Sequence, residues 1–346
     1  MTTNDGRLRG AIGRAIVLWS IIGAMLIGAF ASAVAAVSRE VYSAAGFVHQ
    51  YLDALSRRDA QDALAMPGVS RNDADLQAAG LPGDASRLLL RSAALAELSN
   101  LELVGDVKNA DGTQTITFRY TAAGKPGMTA FTVESTGSRF FVFPTWRFVV
   151  SPLAALDVTV KNESLLEVNG MTINAAATSN DRRGPVNRAT YLVLAPAVYT
   201  LQYQTSLLTG GPARAVVETP TTVVPVTLEV GPKPEFTSQV QKQLTGFLDQ
   251  CATQKVLQPT GCPFGLALDD RLVDEPTWSM VDYPAVTIVP ASGDWQSGPT
   301  SGSAHLTVTV QSLYDGKINT VDKTIPFTVR LHIEIRPDES LVTTVS

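Results

Sequence analysis

The chain has 346 residues, of which 45% are apolar and only 17% charged, against roughly a quarter charged in an ordinary soluble domain. That balance excludes a disordered chain and a Lys/Glu-rich helical fold. A formal net charge of -5 leaves no broad basic surface for nucleic acid, and two cysteines with three histidines offer few soft ligands for a metal.

Residues Ala15–Val37 form a run of 23 residues without a charge. As a helix rising about 1.5 Å per residue, such a run is long enough to cross a bilayer. Arg7, Arg9 and Arg14 precede it against a single Asp5, while Arg39 and Glu40 after it cancel. The positive-inside rule therefore predicts a cytoplasmic tail over 1–14, a membrane helix over 15–37, and export of the rest. The competing reading is a cleaved signal peptide, since Ala31-Ser32-Ala33 and Ala33-Val34-Ala35 fit a small-residue cleavage site, and the product would then be secreted. In either case an oxidising compartment makes Cys251 and Cys262 a disulfide closing a local loop.

Val41, Ala44, Ala45, Val48, Tyr51, Leu52 and Leu55 recur at helical spacing. A second helix is expected from Asp59 to Met66, stopped by Pro67-Gly68, and a third from Asp84 or Ser86 through Leu98. The period then changes to two. Strands are expected over 101–107, 113–121, 128–135 and 139–150, with turns at Asn109–Gly112 and Gly124–Gly127. Helices followed by an antiparallel meander make 38–150 an α+β domain.

Seven short strands are expected over 156–161, 165–168, 171–176, 189–194, 198–205, 213–219 and 222–230. Turns at Asn169-Gly170, Arg183-Gly184-Pro185 and Gly210-Gly211-Pro212 separate them, and 151–231 reads as a small β-sandwich. Gly231-Pro232-Lys233-Pro234 reads as a stiff linker, followed by a helix from Phe236 to Gln250. After the cysteine loop, strands resume near Thr277 and over 285–289, and 291–303 reads as a Gly/Ser/Pro-rich loop. Residues 304–313 and 324–336 alternate, with Asp315-Gly316 as a hairpin turn between them. The segment 232–346 is thus a second helix-then-meander domain, open to a duplication of the first. The expected architecture is one transmembrane helix plus α+β and all-β extracytoplasmic modules.

The stretch Val48-His49-Gln50-Tyr51-Leu52-Asp53-Ala54-Leu55-Ser56-Arg57-Arg58-Asp59-Ala60, leading into short helices and a sheet, resembles the opening helix of nuclear-transport-factor-two-like and cystatin-like domains. Leu194-Ala195-Pro196-Ala197-Val198-Tyr199-Thr200 is similar to the Pro-Gly-x-Tyr-Thr turn of small surface sandwiches, with Ala197 in place of Gly. One span followed by such modules is similar in outline to the teicoplanin-resistance-associated membrane proteins of Gram-positive envelopes. That resemblance implies binding or scaffolding at a cell envelope and carries no functional residue across.

Cone-shaped domains of that kind that are enzymes place acid–base pairs inside the cone. Here His305 and His332 fall on the polar side of their strands and His49 borders the helix stripe, so no catalytic set is expected. Asp269, Asp270, Asp274 and Glu275 lack calcium-loop spacing, and no phosphate-binding or nucleophile motif is present. Asn162-Glu163-Ser164 matches a glycosylation acceptor. Among the tryptophans, Trp146 and Trp278 lie in strands, while Trp295 sits in the 291–303 loop and is the expected exposed binding residue. The function expected from sequence is a non-enzymatic, membrane-anchored extracytoplasmic protein without a cofactor, which binds a protein or cell-wall component. A carrier or sensor of a small apolar ligand is the alternative, and a hydrolase or isomerase in such a cavity comes last.

Overall fold

The computed structural model describes residues 18–26, 28–29, 42–139, 143–178 and 186–346. Most of the regular structure is β-sheet, arranged in several sheets. The expected 1–14 tail, the cleavage sites at 31–35, Phe140, Phe141 and the turn at 183–185 lie outside the described residues, as does most of the Ala15–Val37 span. Of that span, residues 18–26 and 28–29 are helical. No helix among the described residues is long and apolar enough to cross a membrane. By its contacts the chain falls into two compact units: Met1–Leu156 with Tyr191–Tyr199 and Val216–Val224, and Asp157–Thr190 with Thr200–Ala215 and Pro225–Ser346.

In the first unit, α1 (Ala44–Ser56) starts at Ser43, whose hydroxyl accepts from the Gly46 amide at 2.9 Å. Its stripe buries Phe47, Val48, Tyr51, Leu52 and Leu55. Asp59 and Asn72 cap the short helices α2 (Ala60–Ala65) and α3 (Asp73–Ala78) in the same way. Four strands follow in simple order: β1 (Leu98–Lys108), β2 (Gln114–Ala122), β3 (Lys125–Arg139) and β4 (Phe143–Phe148). Alternation turns Ile116, Phe118, Phe131, Val133 and Phe148 toward the helix. Tyr51 meets Phe131 and Phe148 edge-on, with ring centroids 5.8 and 5.3 Å away, and its hydroxyl donates to the Ala195 carbonyl at 2.7 Å. The space between helix and sheet is therefore filled by side chains.

The helix expected from Asp84 or Ser86 through Leu98 is absent; only a 3-10 turn, Ser92–Ala94, forms there. Ser86 instead bridges to Tyr191, and its carbonyl accepts from the Leu192 amide at 2.8 Å. A backbone hydrogen bond to a buried strand is incompatible with a helical ladder through the same residue.

In place of the small β-sandwich of two sheets expected over 151–231, seven strands between 153 and 232 form one sheet in the order β7-β6-β9-β10-β11-β5-β8. They are β5 (Leu153–Lys161), β6 (Leu165–Val168), β7 (Met171–Asn174), β8 (Val186–Leu194), β9 (Ala197–Gln204), β10 (Leu208–Val217) and β11 (Val223–Pro232). A single turn of helix, α4 (Ala175–Thr178), follows β7. Asn169 and Gly170 both take positive φ, as the tight β6–β7 hairpin requires.

In the second unit the expected linker at 231–234 is not a free segment. β11 continues through Pro232, Lys233 donates its amide to the Leu207 carbonyl at 2.8 Å, and α5 (Pro234–Ala252) begins at Pro234. Cys251 at the end of α5 and Cys262 form the expected disulfide, with Cα atoms 5.8 Å apart. The loop it closes leads into Phe264, which packs against Trp278 and Phe327 at 5.0 and 5.4 Å between centroids. Trp278 is buried, and its indole donates to the Val256 carbonyl at 2.8 Å. Reducing the disulfide is expected to lower the stability of this unit by about 3 kcal/mol. Chemical denaturation followed by tryptophan fluorescence, with and without reductant, measures it.

The remaining strands do not form the simple meander expected from sequence. β12 (Arg271–Leu272), β13 (Thr277–Asp282), β16 (Thr300–Gln311) and β17 (Ile318–Val329) make one sheet, with β16 bonded to all three others. β14 (Ile288–Pro290), β15 (Trp295–Ser297), β18 (Leu331–Ile335) and β19 (Leu341–Val345) make another. The alternating run 324–336 changes sheet at Arg330, whose amide and carbonyl pair with Ser346 at 2.8 and 2.9 Å. Phe327, Val329, Leu331 and Ile333 stay buried across the break, so the alternation gives no sign of it.

Candidate functional site

The expected loop at 291–303 is mostly strand. Outside the strands are Gly298-Pro299 and the turn 291–294, in which the Ala291 amide donates to the Asp294 carbonyl at 2.8 Å and Gly293 takes a φ of +94°. Trp295 and Ser297 then face inward and Gln296 outward. Glycine and serine made this segment read as a loop, while the buried Ser297 hydroxyl accepts the Leu331 amide at 2.9 Å and serves the sheet. Trp295 is accordingly only 5% exposed and meets Phe236 edge-on at 5.9 Å. The expectation of an exposed tryptophan platform is corrected: Trp295 is a wall residue, not a projecting one.

That wall belongs to a cleft of about 640 Å³ within the second unit. One side comes from the β5–β6 connection (Asn162, Glu163, Ser164), Asn187 on β8 and Tyr203 and Thr205 at the end of β9. The other comes from Asp294 and Trp295 and from the β18–β19 turn, which presents Arg336 and Glu339. The volume lies within the range of small-molecule sites.

Short polar ties hold these groups. Asn162 adopts a φ of +68°, and its side-chain amide donates to the Val230 carbonyl at 2.9 Å, so the amide nitrogen of the candidate glycosylation site is engaged in the fold. The Ser164 amide donates to a Glu163 carboxylate oxygen at 2.8 Å, and Asn187 donates to the Glu163 carbonyl at 3.0 Å. Ser206 donates to the Glu339 carboxylate. In the β18–β19 turn, hydrogen bonds from the Ser340 hydroxyl and amide hold the Asp338 carboxyl below its usual range. Burial, then the Glu163 carboxylate beside it and Glu339, push the Tyr203 phenol up to about 12.

Tyr203 therefore stays neutral when an unfolded tyrosine, near pH 10, already ionises. Its contribution to stability is complete below pH 10 and is lost as the pH rises through about 12. An ultraviolet phenolate titration should show this late step, and it should vanish in Tyr203→Phe.

The histidines lie elsewhere. His305 Nε2 is 3.0 Å from Asp322 and its Nδ1 3.3 Å from the Thr324 hydroxyl, in a row along the outer face of β16 and β17. His332 Nε2 is 3.5 Å from Asp294, on the outward side of β18 opposite Gln296. His49 packs beside Phe118 at 5.9 Å. Asp270 and Asp274 bind the amides of Leu313 and Thr309, and Glu275 pairs with Lys255 at 2.7 Å, so these carboxylates fasten loops. Among the described residues no three His, Cys, Asp or Glu side chains gather closely enough to hold a metal ion. Trp146 is partly buried against the first unit's core and donates to the Tyr42 carbonyl at 2.8 Å. Sequence reasoning missed Tyr203, Asp294, Arg336 and Glu339. They sit in three separate segments with no shared motif, and only strand pairing brings them to one cleft.

The described residues define a β-rich, disulfide-bonded protein with an open cleft of mixed polar and apolar lining. No protein-family model, curated protein or solved structure matches the chain.

Proposed function

We propose that the chain is a membrane-tethered, extracytoplasmic binding or scaffolding protein of the bacterial cell envelope and not an enzyme, with the second-unit cleft as its binding site. The single observation that carries the reading is that cleft, open, ligand-sized, and lined by apolar surface together with polar side chains that the fold holds in place. The tether rests on the apolar helix at 18–26, where Leu18, Trp19, Met25 and Leu26 are each more than half exposed. Such a helix, apolar on every side, finds its natural solvent in lipid. The Cys251–Cys262 bond suits an oxidising compartment. In this reading residues 38–150 are a cone-like module of the nuclear-transport-factor-two type, the seven-stranded sheet is the middle module, and the whole is held at the envelope.

The test is a photoreactive residue in place of Thr205, on the cleft wall, in intact cells. A captured envelope polymer or protein, together with cysteines that alkylate only after reductant, supports the reading. Intact protein in the soluble intracellular fraction with both thiols free, or a labelled cleft that captures nothing beyond solvent, ends it.

A further inference from the structure

Three carboxylates, Glu163, Asp294 and Glu339, line the cleft against one guanidinium, Arg336. Among the described residues, none of the three has a Lys or Arg nitrogen within ion-pairing distance, and Asp294 alone has a histidine, His332 at 3.5 Å. Neutral donors hold the glutamates instead: the Ser164 amide at Glu163 and the Ser206 hydroxyl at Glu339. Such bonds fix a carboxylate without cancelling its charge. The Tyr203 phenol feels the same field: after burial, the Glu163 charge, a hydrogen bond to that carboxylate and the Glu339 charge hold its proton on.

The carboxylates are too far apart to share a metal ion, and the cleft is many times larger than one ion needs. What fits is an extended ligand with separated positive groups and one negative group for Arg336. We infer that the cleft binds a short peptide carrying two free amino groups and a free carboxylate. The ammonium groups pair with Glu163, Glu339 or Asp294, and the carboxylate makes the two-pronged contact that a guanidinium provides. Uncancelled charge on a cleft wall excludes anionic partners and favours this ligand. The inference rests on the cleft being the binding site, as proposed above.

Isothermal titration of the full-length protein in neutral detergent micelles tests it, with alanyl-lysine as the probe. The comparison peptides are its doubly N-acetylated form and alanyl-glutamate. Saturable binding of alanyl-lysine is expected. Acetylation should weaken it at least tenfold, and alanyl-glutamate should not compete. The double variant Glu163→Gln/Glu339→Gln should lose at least tenfold in affinity while its melting temperature stays within a few degrees of the parent. The acetylated peptide makes the same test without any variant. Equal binding of the acetylated peptide or of alanyl-glutamate overturns the amine assignment and leaves the cleft as a binding site. No heat with any of the three overturns it too, and the Thr205 crosslink then decides separately whether the cleft binds anything.

Discussion

Phe148→Ala should cost the first unit about 3–5 kcal/mol. Phe148 is fully buried at the end of β4 and touches three aromatic rings, with centroids of Phe47, Tyr51 and Phe131 at 4.9, 5.3 and 5.8 Å. Removing it opens a hole where α1 meets the sheet, and the neighbouring rings are too constrained to collapse into it. The backbone at the same residue also carries structure: its amide donates to the Pro67 carbonyl at 3.0 Å, and its carbonyl accepts from Arg71 at 3.1 Å. Those bonds survive the substitution, so the expected loss is that of packing. Urea denaturation of the full-length protein in detergent, followed by far-ultraviolet circular dichroism, measures it. A loss below about 1 kcal/mol would contradict the packing described here.

Gly68→Ala is expected to cost roughly 3–4 kcal/mol, by another route. Gly68 has a φ of +86°, and a Cβ there would stand 2.3 Å from the Phe148 carbonyl oxygen and 2.8 Å from its nitrogen. Both obstacles are backbone, which a side-chain rotation cannot clear. Gly80 gives the matched control. Its φ is +82°, yet nothing lies within 4 Å of its Cβ position. Gly80→Ala should therefore lose only the left-handed strain, about 1 kcal/mol. If the two variants lose equal stability, close approach of the Pro67–Gly68 turn to β4 is not what Gly68 provides.

The two positions show what a sequence does and does not disclose. Pro67-Gly68 is legible as the end of a helix, and α2 does end just before it. That the same glycine seats a turn on a strand eighty residues further along is a matter of tertiary contact. The helix stripe of α1 and the alternation of β2 and β3 were legible for the same kind of reason: each buries one face, and burial of one face imposes a period on the residues. The short strand β15, hidden by composition, was not. Trp295–Ser297 carries glycine and serine around it, and three residues are too few to establish a period.

The cleft was legible in none of its parts. Asn162-Glu163-Ser164 drew notice as a modification pattern, and Trp295 drew notice as an exposed aromatic; the structure makes the first a cleft wall and the second a buried neighbour of Phe236. Tyr203 looks like any strand-end tyrosine until Glu163 and Glu339 stand beside it.

Local periodicity, the composition of the apolar run Ala15–Val37 and the Cys251–Cys262 pairing were set by the sequence itself, because each depends on neighbours along the chain or on a pair with no rival partner. Sheet membership was decided only by the tertiary structure. At Arg330 an unbroken alternation passes from one sheet to another, because alternation records which side is buried and is silent about which strand supplies the hydrogen bonds. The cleft's charge is of the same kind: it arises where strand pairing gathers carboxylates that the chain keeps up to 176 residues apart, from Glu163 to Glu339.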